Sequence, residues 1–288
     1  MSKLLVANIG STSFKFRLFE MPAERLLAKG GIDRIGSGAE SDYRMESDGR
    51  DPVAGNGVFG GYGDAVALVE RELTGAVLDD FSELCAFGFK PVMARGVSGT
   101  QVLDERVLAA MDEMSALFPA HNPPYIQAVR EMGARYPAIP CIGTFETAFY
   151  DDLPRYNQLF PVPLEWERKY AVRRYGFHGA SHRFVTERAA ELNGGHNLRI
   201  ISCHLGGSSS IAAVADGRAI NSSWGMTAQS GLPQNNRVGD FDSFALVHLL
   251  RNCGLSLDQA MDTLSRESGL KGLAGTPSGD LRDVKEAA

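Results

Sequence analysis

The chain has 288 residues, 44% of them hydrophobic, enough for one large or two ordinary domains with real cores. Its formal charge of -6 and pI near 5.6 argue against nucleic acid or an anionic membrane as partner and favour small molecules. No apolar run approaches the ~20 residues of a spanning helix, and "MSKLLVANIG" is interrupted too soon for a signal peptide, so a cytoplasmic location is expected.

Residues 3–9, 13–20 and 25–33 have the β-branched, aromatic and alternating character of a three-stranded meander, broken at Gly10–Thr12 and Met21–Pro22. A polar, glycine-rich loop is expected over about residues 36–60. Helical patterns near 62–74 and 104–116 flank the apolar run "LCAFGFKPVMA", an alternation that favours a sheet covered by helices. "PAHNPPYIQAVREM" opens a helix with Pro123 and Pro124 in its first turn, followed by the strand-like "AIPCIGTFETAF". Cys85, Cys141, Cys203 and Cys253 are widely spaced with no CxxC pair and read as buried small hydrophobes.

Residues 198–223, "LRIISCHLGGSSSIAAVADGRAINSS", repeat the opening plan of strand, Gly/Ser turn, strand, tight turn and strand, the last turn being Asp216–Gly217. The first turn carries Gly10, Ser11, Thr12 and Ser13; the second carries Gly206, Gly207, Ser208, Ser209 and Ser210. Glycine lets backbone approach an oxyanion, and adjacent N–H groups and hydroxyls donate to it, so two such turns facing a cleft suit a polyphosphate. Either turn alone also reads as an ordinary hairpin, and Lys15 as a solvated strand residue.

These residues carry a resemblance. "NIGSTSFKFRLFE", "FPAHNPP", "RRYGFHGASHRFV", "ISCHLGGSSSIAAVADGRAI" and "RVGDFDSFAL" resemble, in order, the motifs of the acetate kinase family, which includes acetate, propionate and butyrate kinases. The resemblance implies an α/β, two-lobed, duplicated actin-like ATPase (ribonuclease H-like) fold, with an N-terminal lobe over 1–150 and a C-terminal lobe over 151–288. The second lobe is expected to be incomplete, lacking the family's adenosine-receiving glycine-rich element. It further implies phosphorylation of a short-chain carboxylate by ATP, with Mg²⁺, in a homodimer; the alternative is a non-catalytic or altered-substrate relative that binds nucleotide or phosphate.

Residue by residue, the resemblance puts Asn8 at the metal, and Ser11, Ser13, Lys15, His204, Gly206, Gly207 and Ser208 at the nucleotide phosphates. It puts His178, Arg237 and Glu146 at the chemistry, and Lys90, Arg95 and His121 on the acyl-substrate side. Physically, phosphoryl transfer asks for alignment and for positive charge around the transferring group; the resemblance has His178 donating to that group and Arg237 providing bidentate charge. His178 and His182 stand four apart but lack the cysteines or carboxylates of a zinc site, so His182 reads as a hydrogen-bonding residue at a helix start. Asp242 reads as a helix cap. The chain departs from the family at "FETAFY", where Glu146 and Tyr150 replace an aspartate and a histidine, at "FKPVMARGVSG", where Lys90 replaces an arginine, and at "HLGGSSS", where the family has "HLGNGAS".

Overall fold

The sequence alternates polar and apolar residues from its first strand. β1 (Ser2–Ile9) and β2 (Phe14–Met21) pair antiparallel, from Ser2 opposite Met21 to Ile9 opposite Phe14. Leu5, Ala7 and Ile9 of β1 therefore share a buried face with Phe14, Phe16 and Leu18 of β2, where each large side chain contributes about 2 kcal/mol. This computed structural model describes residues 1–288, which divide into two compact units, Met1–Glu146 and Thr147–Ala288.

In the first unit β3 (Arg25–Ile32), β4 (Ser41–Ser47) and β5 (Val53–Gly57) extend the meander. β6 (Leu84–Phe89), β7 (Thr100–Val102) and β8 (Cys141–Thr144) lie on its other side, and the sheet runs β5-β4-β3-β2-β1-β6-β8-β7. β1, β6 and β8 are mutually parallel, which requires crossovers. α1 (Tyr62–Leu73) supplies the first, and α2 (Glu105–Asp112) with α3 (Asn122–Arg135) the second. Val66 and Val69 of α1 and Ala128, Val129 and Met132 of α3 join the strands' buried face in one core.

In the second unit β9 (Arg199–Leu205), β10 (Ser209–Ala215) and β11 (Arg218–Ser222) form a three-stranded antiparallel sheet. Asp216 (φ 53°) and Gly217 (φ 79°) both adopt the positive φ that a tight two-residue hairpin turn needs. Its helices are α4 (Arg155–Gln158), α5 (Leu164–Tyr170), α6 (Gly179–Leu192), α7 (Ser243–Asn252), α8 (Leu257–Asp262), α9 (Gly269–Ala274) and α10 (Leu281–Ala287). Tyr150, Leu153, Ala212, Val214 and Ala219 make the core beneath β10. Asp242 caps α7, its carboxylate accepting from the Phe244 N–H at 2.8 Å.

Three expectations need correction. The loop expected over 36–60 contains β4 and β5, whose Asp, Ser and Gly content masks strands held in place by pairing with β3. The helix expected over 104–116 ends at Asp112, after which the chain turns. Only Cys141 is buried: Cys85, Cys203 and Cys253 are exposed, Cys203 because it falls on the outward face of β9 between Ile201 and Leu205.

Candidate active site

The parallel order of β1, β6 and β8 brings their C-terminal ends together, the edge of an α/β sheet where ligands bind. Asn8 lies at the end of β1, Lys90 directly after β6, and Glu146 two residues past β8. Lys90 Nζ is paired with Glu146 Oε1, and the Glu146 N–H donates to the Pro91 carbonyl at 2.9 Å, so backbone and side chain both fix the carboxylate. Glu146 Oε2 is buried without a hydrogen-bond partner. The Tyr125 hydroxyl donates to Asn8 Oδ1 and accepts from the Ile9 N–H, each at 3.4 Å. Burial raises the Tyr125 pKa; the Ile9 bond lowers it and the Glu146 charge raises it further, so Tyr125 stays a neutral donor.

Lys15 stands opposite Asn8 in the β1–β2 register, and Asn8, Lys15 and Lys90 line one cavity of about 770 Å³ on the sheet face away from α1 and α3. The turn before Lys15 is closed by the Gly10 N–H donating to the Ser13 carbonyl at 2.8 Å. The Tyr62 hydroxyl holds it by donating to the carbonyls of Gly10 (2.7 Å) and Ser11 (3.3 Å). Arg95 and His121 are not among the residues lining that cavity. Arg95 pairs with Glu113 at 3.0 Å, and His121 is the exposed N-cap of α3.

The second unit gathers His178, His204, Ser208 and Arg237 around the β9–β10 turn. His178 is the N-cap of α6 at φ 57°, a left-handed conformation uncommon outside glycine. Its ring stacks on His204 with centroids 3.9 Å apart and tilts against Trp224 at 4.4 Å. His178 Nδ1 is 2.9 Å from Ser210 Oγ, and His204 Nδ1 is 2.9 Å from Ser181 Oγ. Arg237 donates from Nη2 to Ser208 Oγ at 2.6 Å and from Nη1 to the Ala228 carbonyl at 3.1 Å. Burial lowers its pKa, yet a guanidinium remains cationic at neutral pH.

Beside the turn is a polar cavity of about 470 Å³ lined by Gly207, Ser208, Asn235, Arg237, Arg266 and Lys271. Asn235 and the two further cations were missed in the sequence, where no motif surrounds them. The loop carrying Asn235 and Arg237 is anchored by glycine: a Cβ at Gly269 (φ 64°) would lie 2.6 Å from the Arg237 carbonyl oxygen. Also beyond the sequence reading is the burial of His182. Its Nδ1 is 2.8 Å from Ser202 Oγ and its Nε2 is 2.8 Å from Ser210 Oγ. Desolvation, followed by the neighbouring His204, lowers its pKa to about 4.

The sequence matches the Acetokinase family over residues 3–288. It is 37% identical to the acetate kinase of Bacillus subtilis over 291 residues, covering 100% of this chain and 73% of that protein. It is 38% identical to the acetate kinase of Carboxydothermus hydrogenoformans over 292 residues, covering 99% and 73%. In structure it is similar to Porphyromonas gingivalis acetate kinase, with a TM-score of 0.87 and 33% identity over 100% of this chain and 73% of that one. It is also similar to a propionate kinase from Francisella tularensis, with a TM-score of 0.89 and 29% identity over 99% and 73%. The fold is thus the mixed α/β, actin-like ATPase fold. With the match running almost end to end, the chain belongs to the acetokinase family.

Proposed function

We propose that this protein transfers the γ-phosphoryl group of ATP to a short-chain carboxylate such as acetate or propionate, giving ADP and an acyl phosphate. The observation that carries the reading is the guanidinium of Arg237, fixed by Ser208 and Ala228 at the head of a cavity that also presents Arg266 and Lys271. Charge builds on the equatorial oxygens during phosphoryl transfer, and a preorganised guanidinium with paired donors stabilises it without reorganising.

His178 donates to the same transferring group, while His204, Gly206, Gly207 and Ser208 hold nucleotide phosphate oxygens. Ser11, Ser13 and Lys15 serve phosphate in the first unit. Lys90, with three donors on one ammonium, serves Glu146 and a substrate carboxylate oxygen together. Arg95 and His121 support the acyl side from further out.

Mg²⁺ fits the donor set at the strand ends: the orphaned Glu146 Oε2 and the Asn8 amide oxygen are hard ligands, and a site with few protein oxygens suits an ion that keeps waters and phosphate oxygens. Bound there, it would neutralise charge on the nucleotide phosphates. Family membership supports a homodimer and a cytoplasmic location; no helix is long and apolar enough to cross a membrane.

Hydroxylamine trapping in Mg-ATP with C2 to C4 carboxylates tests the reading. Acyl hydroxamate should accumulate with at least one of these acids, and its absence with all of them would reject a carboxylate kinase.

A further inference from the structure

Ser210 is fully buried and its single hydroxyl touches two histidines, Nδ1 of His178 at 2.9 Å and Nε2 of His182 at 2.8 Å. One hydroxyl carries one proton, so it donates to at most one of these rings, while its lone pairs can accept from either. Which way it points is settled one bond further along. His182 is fully buried and its Nδ1 meets Ser202 Oγ, itself 3% exposed, at 2.8 Å.

If His182 carried its proton on Nδ1, it would donate to Ser202 and leave the buried Ser202 O–H without an acceptor in this chain, which costs about 1–3 kcal/mol. The opposite direction satisfies every member. The Ser202 hydroxyl donates to His182 Nδ1; His182 Nε2–H donates to Ser210 Oγ; the Ser210 hydroxyl donates to His178 Nδ1. With Nδ1 of His178 accepting, the proton of that ring sits on Nε2.

We propose that Ser202, His182 and Ser210 form a one-way hydrogen-bond relay that holds His178 as the neutral Nε2–H tautomer, so that it donates to the phosphoryl group without becoming charged. This rests on the phosphoryl-transfer reading of His178 above, and makes Ser210 and His182 positioning residues for it. Two of the rings against His178 are themselves histidines, His182 of α6 and His204 of β9, the latter stacked at 3.9 Å, and beside either a second positive charge is disfavoured. β10 contributes the Ser210 hydroxyl and Trp224 an uncharged ring. Protonating His178 on Nδ1 would turn the Ser210 hydroxyl away from its acceptor and put two N–H donors on one oxygen. A neutral imidazole polarises the transferring group through its Nε2–H without gaining or losing a proton.

The test is ¹⁵N-histidine labelling of the whole protein, reading from two-bond proton–nitrogen correlations which ring nitrogen of His178 and His182 is protonated. The expected result is Nε2–H for both, with His178 remaining neutral from about pH 6 to 8. In S210A, His178 should titrate about one unit or more higher, with kcat reduced about tenfold and both KM values within about threefold. S210T, which keeps the hydroxyl, should recover most of the lost rate. A structural role alone would change the folded fraction without moving the His178 titration. An Nδ1–H tautomer or an imidazolium at His178 in the wild type at pH 7 would overturn the proposal, as would an unchanged titration in S210A. A wild-type protein that made no acyl phosphate would reject the kinase reading and leave the tautomer result standing by itself.

Discussion

Lys90 and Glu146 show how single residues divide the load. The Glu146 side chain is 7% exposed and Lys90 45%, so removing the lysine leaves a nearly buried carboxylate with neither oxygen paired. K90A should therefore destabilise the protein by about 1–3 kcal/mol, less than a fully buried pair because Lys90 is half in water. Adding E146Q should restore much of that stability, read by denaturant unfolding, while carboxylate turnover stays low; a double variant no more stable than K90A would contradict the pairing. R237A should lower kcat by about 100-fold or more in the hydroxamate assay, and R237K should recover little, since an ammonium lacks the fork that reaches Ser208 and Ala228 together. These positions stand in motifs that the sequence itself displays. Asn235, Arg266 and Lys271 do not, because a cavity assembled from separate segments of the chain leaves no local spacing to read. Nor could spacing show that the Tyr150 ring packs against Gly176, with its hydroxyl donating to the Phe177 carbonyl at 3.0 Å.

The elements were more legible than their contacts. β1, β2, β9 and β10 stand where alternation put them, because one face of each pair is buried and a slip of one residue would invert it. β4 and β5 escaped because "SDYRMES" and "VAGNG" have weak strand propensity and owe their form to the strand beside them. The loop presenting Arg237 depends on Gly269 at the start of α9, where a methyl group would meet the backbone of Gln234 and Arg237 while φ stays positive. G269A should lower stability by about 1–3 kcal/mol and displace Arg237, reducing kcat more than the KM for the carboxylate. Unchanged turnover in G269A would mean that the loop's backbone does not set the guanidinium's position.

For the whole molecule, His182 ties stability to pH. Its pKa falls from 6.5 to about 4 on folding, so between these values the unfolded chain binds a proton that the folded chain does not. Stability is complete above about pH 6.5 and declines as pH falls toward 4, by up to roughly 3 kcal/mol from this residue. The melting temperature should drop on acidification from about pH 7 to 5, and H182Q should flatten that dependence; an equally steep decline in H182Q would assign it to other groups. The proposed reaction requires a carboxylate oxygen to receive the phosphoryl group. ³¹P NMR with Mg-ATP and ¹⁸O-labelled acetate or propionate follows that transfer directly. An acyl phosphate resonance with the isotope shift of a bridging ¹⁸O is the predicted result, whereas ATP turning over to ADP and unlabelled inorganic phosphate alone would contradict it.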